Sequence, residues 1–114
     1  MDEAPDFRDH VFAELARQLR RLTSYVEELH FLDIAGRLAA RLVRIAREHG
    51  LRGEDGAIRL DVPITQGELA AMVGSTRHSV NKLLEMFLGD GLLRLDRDAI
   101  VVLDLAALAR VARR

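Results

Sequence analysis

Residues 65–84 read TQGELAAMVGSTRHSVNKLL. Thr65 and Glu68 form a T-x-x-E start signal, whose side chains satisfy amides that the first turn of a helix leaves unpaired. Leu69, Ala70, Met72 and Val73 supply the buried side of a short helix. Gly74 can take the positive φ that a sharp turn needs. Ser75 or Thr76 then caps a second helix. Burying Val80, Leu83, Leu84 and Phe87 anchors that helix, which turns Arg77, His78, Asn81 and Lys82 outward. Ala70 stands four residues before Gly74, and a small side chain there lets two helices approach at a steep angle.

The major groove of duplex DNA admits one α-helix, and the N-terminal residues of that helix meet the base edges. Arg77 suits guanine, because its fork can donate to O6 and N7 together. Lys82 can reach guanine or a phosphate, and Asn81 can pair with adenine. These three and His78 are the candidate base contacts. Thr65, Gln66, Ser75, Thr76 and Ser79 place hydroxyls and amides where phosphate oxygens would lie. The alternative is an ordinary pair of helices in a small bundle, a protein-interaction module in which the two helices are structural.

Downstream, Leu92-Leu93-Arg94-Leu95 and Ile100-Val101-Val102-Leu103 flank Asp96-Arg97-Asp98, which reads as a hairpin. Arg94 and Arg97 are its candidate phosphate contacts. Helix, turn, helix and hairpin is the order of a winged helix-turn-helix. The tail LAALARVARR is a short helix candidate with Leu105, Leu108 and Val111 on one side.

Upstream, Ile58-Arg59-Leu60-Asp61-Val62 alternates as a half-buried strand ending at Pro63, and 51–57 reads as a polar, glycine-rich loop. Asp33 is an expected N-cap for a helix over 34–48, with Ile34, Leu38, Leu42 and Ile45 buried and Gly50 closing it. Arg37, Arg41, Arg44 and Arg47 share another face of that helix, read as solvated. Residues 7–29 form one long helix with Phe12, Leu15, Leu19, Leu22, Val26 and Leu29 spaced 3, 4, 3, 4, 3. That is an a/d seam, the pattern of a self-associating coiled coil, the alternative being a helix packed on its own domain's core. Phe31-Leu32-Asp33 is expected to break between the two helices. The resulting division is 1–30, a tail and dimerisation helix, and 31–114, the winged domain. The fold class is mainly α with a small β component.

The composition bounds the function. A net charge of −1 excludes polyanion binding by bulk charge, so a nucleic-acid reading must rest on local geometry. The absence of cysteine removes disulfides, zinc–thiolate sites and an iron–sulfur sensor within these 114 residues. The four histidines lack metal spacing, and no phosphate-cradling G-x-x-x-x-G-K occurs, so an enzyme is not expected. No run of 18 apolar residues exists, so no membrane partner is expected, and MDEAPDFRDH lacks the apolar core of a signal peptide.

Two stretches carry a family resemblance: FLD-x-x-GRLA at 31–39 and T-x-x-E-L-A-x-x-V-G-S-T-R at 65–77. Together with the strand at 58–62, Val80 and Ile100-Val101-Val102, they make the chain resemble the C-terminal part of the catabolite activator and fumarate/nitrate regulator (Crp/Fnr) family of bacterial transcription factors. The resemblance implies a cytoplasmic homodimer on double-stranded DNA, with RNA polymerase as a further partner. It implies that 7–29 is the dimer helix and 31–33 a hinge. A parallel dimer would set two copies of Arg77 about one turn of DNA apart on a two-fold symmetric site.

Three departures matter. Family members carry an N-terminal β-roll for an effector, and nothing before residue 7 could form it, so the chain is expected to be a fragment with no cofactor of its own. A full-length parent would bind a cyclic nucleotide or another effector. The cyclic-AMP branch has Thr-Ser on the dimer helix, but here Thr23-Ser24 falls one position late and Leu22 takes the first place. That branch also reads DNA with Arg-Glu-x-x-x-Arg, where this chain has Arg77-His78-Ser79-Val80-Asn81-Lys82. Losing the glutamate that accepts from cytosine predicts a shifted target sequence.

Overall fold

The computed structural model describes residues 3–113, with side chains from Asp6 onward. The elements run α1 (Glu3–His49), β1 (Gly50–Arg52), β2 (Ile58–Leu60), α2 (Gln66–Val73), α3 (Arg77–Gly89), β3 (Leu93–Asp96), β4 (Ala99–Val102) and α4 (Leu105–Ala112). The chain divides into two units, one ending at Phe31 and one spanning Leu32–Arg114.

In the first unit, the apolar seam of α1 is exposed. Phe12 is 69% exposed and Leu22 62%, and Leu15, Leu19, Val26 and Leu29 are exposed with them. Val11 and Tyr25 are exposed too, and both sit one position before an a residue, at g. An apolar stripe of this width, left open to water, is unusual for a helix that functions alone.

The helix break expected at Phe31-Leu32-Asp33 is absent, since all three residues are helical. Asp33 is not an N-cap; its carboxylate pairs with Arg37 one turn on, at 3.1 Å. The physical reason is that no proline removes a backbone donor here, and aspartate in a helix interior costs only about half a kcal/mol against alanine. Capping chemistry marks where a helix can start, not where it must.

The second unit has one core. Ile34, Leu38 and Leu42 of α1, Leu69 of α2, Val80 and Leu83 of α3, Val102 of β4 and Leu108 of α4 are all under 2% exposed. The described residues bury no polar or charged side chain. The sheet is antiparallel in the order β1-β2-β4-β3. Its register sets Leu51 against Arg59, Ile58 against Val102 and Leu93 against Val102.

Two further expectations are corrected. Residues 51–57 are not all loop, because Gly50–Arg52 pair with Ile58–Leu60 around a turn closed by Gly53 N–H to Ala57 O at 2.8 Å. Gly50 is not a left-handed cap either. A Cβ there would lie 2.2 Å from Ala46 O and 2.4 Å from Ile58 Cγ2, so glycine is required by the close approach of strand to helix.

Candidate nucleic-acid interface

The helix pair forms as its sequence dictates. Thr65 has an extended backbone, and its side chain accepts from Glu68 N–H at 3.1 Å, capping α2. Gly74 sits at φ 69°, ψ 39° and ends α2. Ser75 N–H reaches back to Ala70 O at 2.9 Å, closing the left-handed terminus that glycine favours. Thr76 caps α3, accepting from Ser79 N–H at 3.1 Å. Each cap contributes about 1 kcal/mol, so three consecutive local signals fix a turn of only three residues.

The buried side of α3 is Val80, Leu83, Leu84 and Phe87, as expected. Met72 of α2 is not buried as expected but 44% exposed. Leu69, Ala70 and Val73 already fill the inward arc of a two-turn helix, and Met72 falls outside it.

Opposite the anchor, Arg77, His78, Asn81 and Lys82 are exposed along α3. Of the candidate phosphate contacts, Thr65, Thr76 and Arg97 are exposed, while Gln66, Ser75 and Ser79 are half-buried. The hydroxyls are partly committed. Thr76 Oγ1 donates to Ser79 Oγ at 3.1 Å, which leaves the Ser79 proton as the donor for a ligand. Thr65 uses a lone pair for its cap, and its own proton stays available.

One contact was not foreseen. Gln66 Nε2 donates to Asn81 Oδ1 at 3.1 Å, tying the first residue of α2 to the exposed side of α3. By sequence alone Gln66 belongs to the phosphate side of the surface and Asn81 to the base side. No local signal joins residues 15 apart; the pairing depends on how the two helices cross.

The hairpin of β3 and β4 turns through Arg97 and Asp98, both with positive φ, 51° and 71°. Asp96 pairs with Ala99 to close the two-residue loop. This handedness matches the twist of the strands, and two non-glycine residues there cost about 1–2 kcal/mol each. The turn projects Arg97 at the hairpin tip. Asp96, which flanks it in sequence, is paired with Arg59 Nη1 at 3.0 Å across the sheet, so its charge is offset. Leu95, on the same hairpin, is 55% exposed, and a cleft between the hairpin and α3 has Leu95, Asp98, Gln66, Asn81 and Glu85 on its walls.

No helix among the described residues is long and apolar enough to cross a membrane. Residues 36–111 match the Crp-like helix-turn-helix domain. The chain is 37% identical over 111 residues to a CRP-like cAMP-activated global transcriptional regulator of Mycobacterium tuberculosis, covering 97% of this chain and 49% of that protein. It superposes on the Thermus thermophilus catabolite activator protein with a TM-score of 0.71 at 29% identity, covering 90% of this chain and 45% of that one. The CO-dependent transcription factor CooA of Carboxydothermus hydrogenoformans is 33% identical with a TM-score of 0.67, over 82% of this chain and 43% of that one. The chain spans about half the length of the relatives it matches. With its helix pair, its hairpin and this match over 36–111, the chain belongs to the Crp-like helix-turn-helix domain family, within the Crp/Fnr group of DNA-binding transcription regulators.

Proposed function

We propose that this chain binds double-stranded DNA as a homodimer, with α3 in the major groove and the β3–β4 hairpin beside it. The observation that carries the reading is the division of α3. Val80, Leu83, Leu84 and Phe87 are buried, and Arg77, His78, Asn81 and Lys82 are exposed. In this reading those four meet base edges, with Arg77 on guanine. Thr65, Gln66, Ser75, Thr76, Ser79 and Arg97 hold phosphates and set the register of α3. Phe12, Leu15, Leu19, Leu22, Val26 and Leu29 form the dimer seam, which accounts for their exposure in a single chain. The boundary between dimer helix and DNA-binding domain falls near residue 31. RNA polymerase is a further partner, the cytoplasm is the place of action, and the effector belongs to parts of a longer regulator.

His78 stands where a related pattern has glutamate, so the target departs from sites that need a carboxylate on cytosine. The test is anisotropy with duplexes selected from a random pool, repeated across salt. Affinity should fall steeply with salt, by about 0.9 in log–log slope for each phosphate contacted. Arg77→Ala should cost about 1–3 kcal/mol and relax preference at one base pair of each half-site. If Arg77→Ala binds selected and random duplexes as the parent does, α3 is not the reading helix.

A further inference from the structure

We infer that Gln66 sets which bases Asn81 can read, by holding the Asn81 amide in one orientation. This rests on the reading of α3 as the base-contacting helix. The observation is the Gln66 Nε2 to Asn81 Oδ1 hydrogen bond of 3.1 Å between the start of α2 and the exposed side of α3. An asparagine amide presents an acceptor at one end and two donors at the other. A free asparagine can use both ends on adenine, accepting from N6 and donating to N7. Here the acceptor end is turned to α2 and engaged. Because the two heteroatoms of a planar amide point apart, the Nδ2 donors are left to face a ligand.

A donor-only tip matches edges that offer acceptors: guanine offers two, O6 and N7, thymine offers O4, and adenine offers N7 alone beside its amine. It mismatches the exocyclic amines of adenine and cytosine. The structure therefore assigns Asn81 to guanine or thymine above the adenine expected from residue type alone, because the two-bond pairing with adenine needs the engaged Oδ1 and only N7 is left to accept. Gln66 acts through Asn81 and is a positioning residue. Its remaining carbonyl end does not compete for the Asn81 donors, because Gln66 is already donating. The cleft wall that both residues share also carries Glu85 and Asp98. No hydrogen bond joins either carboxylate to the Asn81 amide among the described residues, so the link to Gln66 decides the orientation.

The experiment is selection from a random duplex pool by the full chain and by three variants, followed by anisotropy with all four bases at the position facing Asn81. The parent should prefer guanine or thymine there. Gln66→Glu turns a donor into an acceptor, so it should take a hydrogen bond from Asn81 Nδ2 and swing Oδ1 outward. Preference at that one position should then move to adenine or cytosine, with the ratio changing about tenfold. A carboxylate in the first turn of α2 suits the helix terminus, so this variant keeps the fold. Gln66→Lys keeps a donor toward Oδ1 and should keep the parental order of bases at that position, while its overall affinity and salt slope change because Gln66 is itself a proposed phosphate contact. Adding Asn81→Ala to Gln66→Glu should abolish the switched preference, because the reader is gone.

Lost phosphate contacts lower affinity evenly over all four bases, so a merely structural role for Gln66 would leave the ratio unmoved. The inference is overturned if the parent selects a consensus and Gln66→Glu selects the same base at every position. A parent that selects no consensus overturns the base-reading role of α3, and this inference with it.

Discussion

Replacing Leu22 by glutamate should separate the proposed dimer. Leu22 occupies the middle d position of the α1 seam and is 62% exposed in the single chain. Full burial of a leucine side chain stabilises by about 1.5–3 kcal/mol, so burying the exposed three-fifths against a second copy contributes roughly 1–2 kcal/mol. Two-fold symmetry loses that contribution twice, about 2–4 kcal/mol, before any cost of desolvating two facing carboxylates. At about 1.4 kcal/mol per factor of ten, the dissociation constant should rise by roughly thirty- to seven-hundredfold. Glutamate is nearly as good a helix former as leucine, so helicity by circular dichroism should hold. Sedimentation equilibrium is the assay, with Ser24→Glu as the control, because Ser24 sits at an f position away from the seam. An unchanged mass distribution for Leu22→Glu, with the parent dimeric, would refute the seam. A parent that sediments as a monomer at every concentration would refute it more directly.

Three further outcomes follow from the winged domain. Gly50→Ala should destabilise the fold by about 1–3 kcal/mol in thermal melts, because its methyl group would overlap Ala46 O and Ile58 Cγ2 and force backbone to move. Leu83→Ala should cost about 2–5 kcal/mol in urea unfolding, since the side chain is wholly buried beneath α3. Arg97→Gly should relieve a left-handed residue at φ 51° and raise stability by up to about 1 kcal/mol. The same change should weaken binding to specific and random duplexes alike and lower the salt slope by about 1 per protomer, a combination that separates wing contact from wing folding.

The helix pair was legible because each of its signals acts within four residues. The Thr65 cap, the turn at Gly74 and the Thr76 cap each depend on a neighbouring backbone group, and each stands where the sequence put it. The buried side of α3 was legible because helical period fixes which residues share an arc. Met72 was misplaced because a helix of eight residues has a narrow inward arc, which Leu69, Ala70 and Val73 fill. β1 was missed because a three-residue strand has no room to show alternation, and its existence depends on pairing with β2. The break at 31–33 was expected from an aspartate that a helix interior also tolerates.

By itself the sequence determined the period, caps and turns, and hence that a capped helix would show Arg77, His78, Asn81 and Lys82 to solvent. It also determined an apolar stripe along 12–29 at coiled-coil spacing, while its exposure came from the structure. Only the tertiary structure decided that Gln66 engages the Asn81 carbonyl, that Arg59 offsets Asp96 beneath the hairpin tip, and that Gly50 admits no side chain. The reason is range. Caps and turns are settled by groups a few bonds apart, whereas the first two contacts join residues 15 and 37 apart. Gly50 is closed off both by Ala46 O four residues back and by Ile58 eight residues on, which arrives only when β1 and β2 pair.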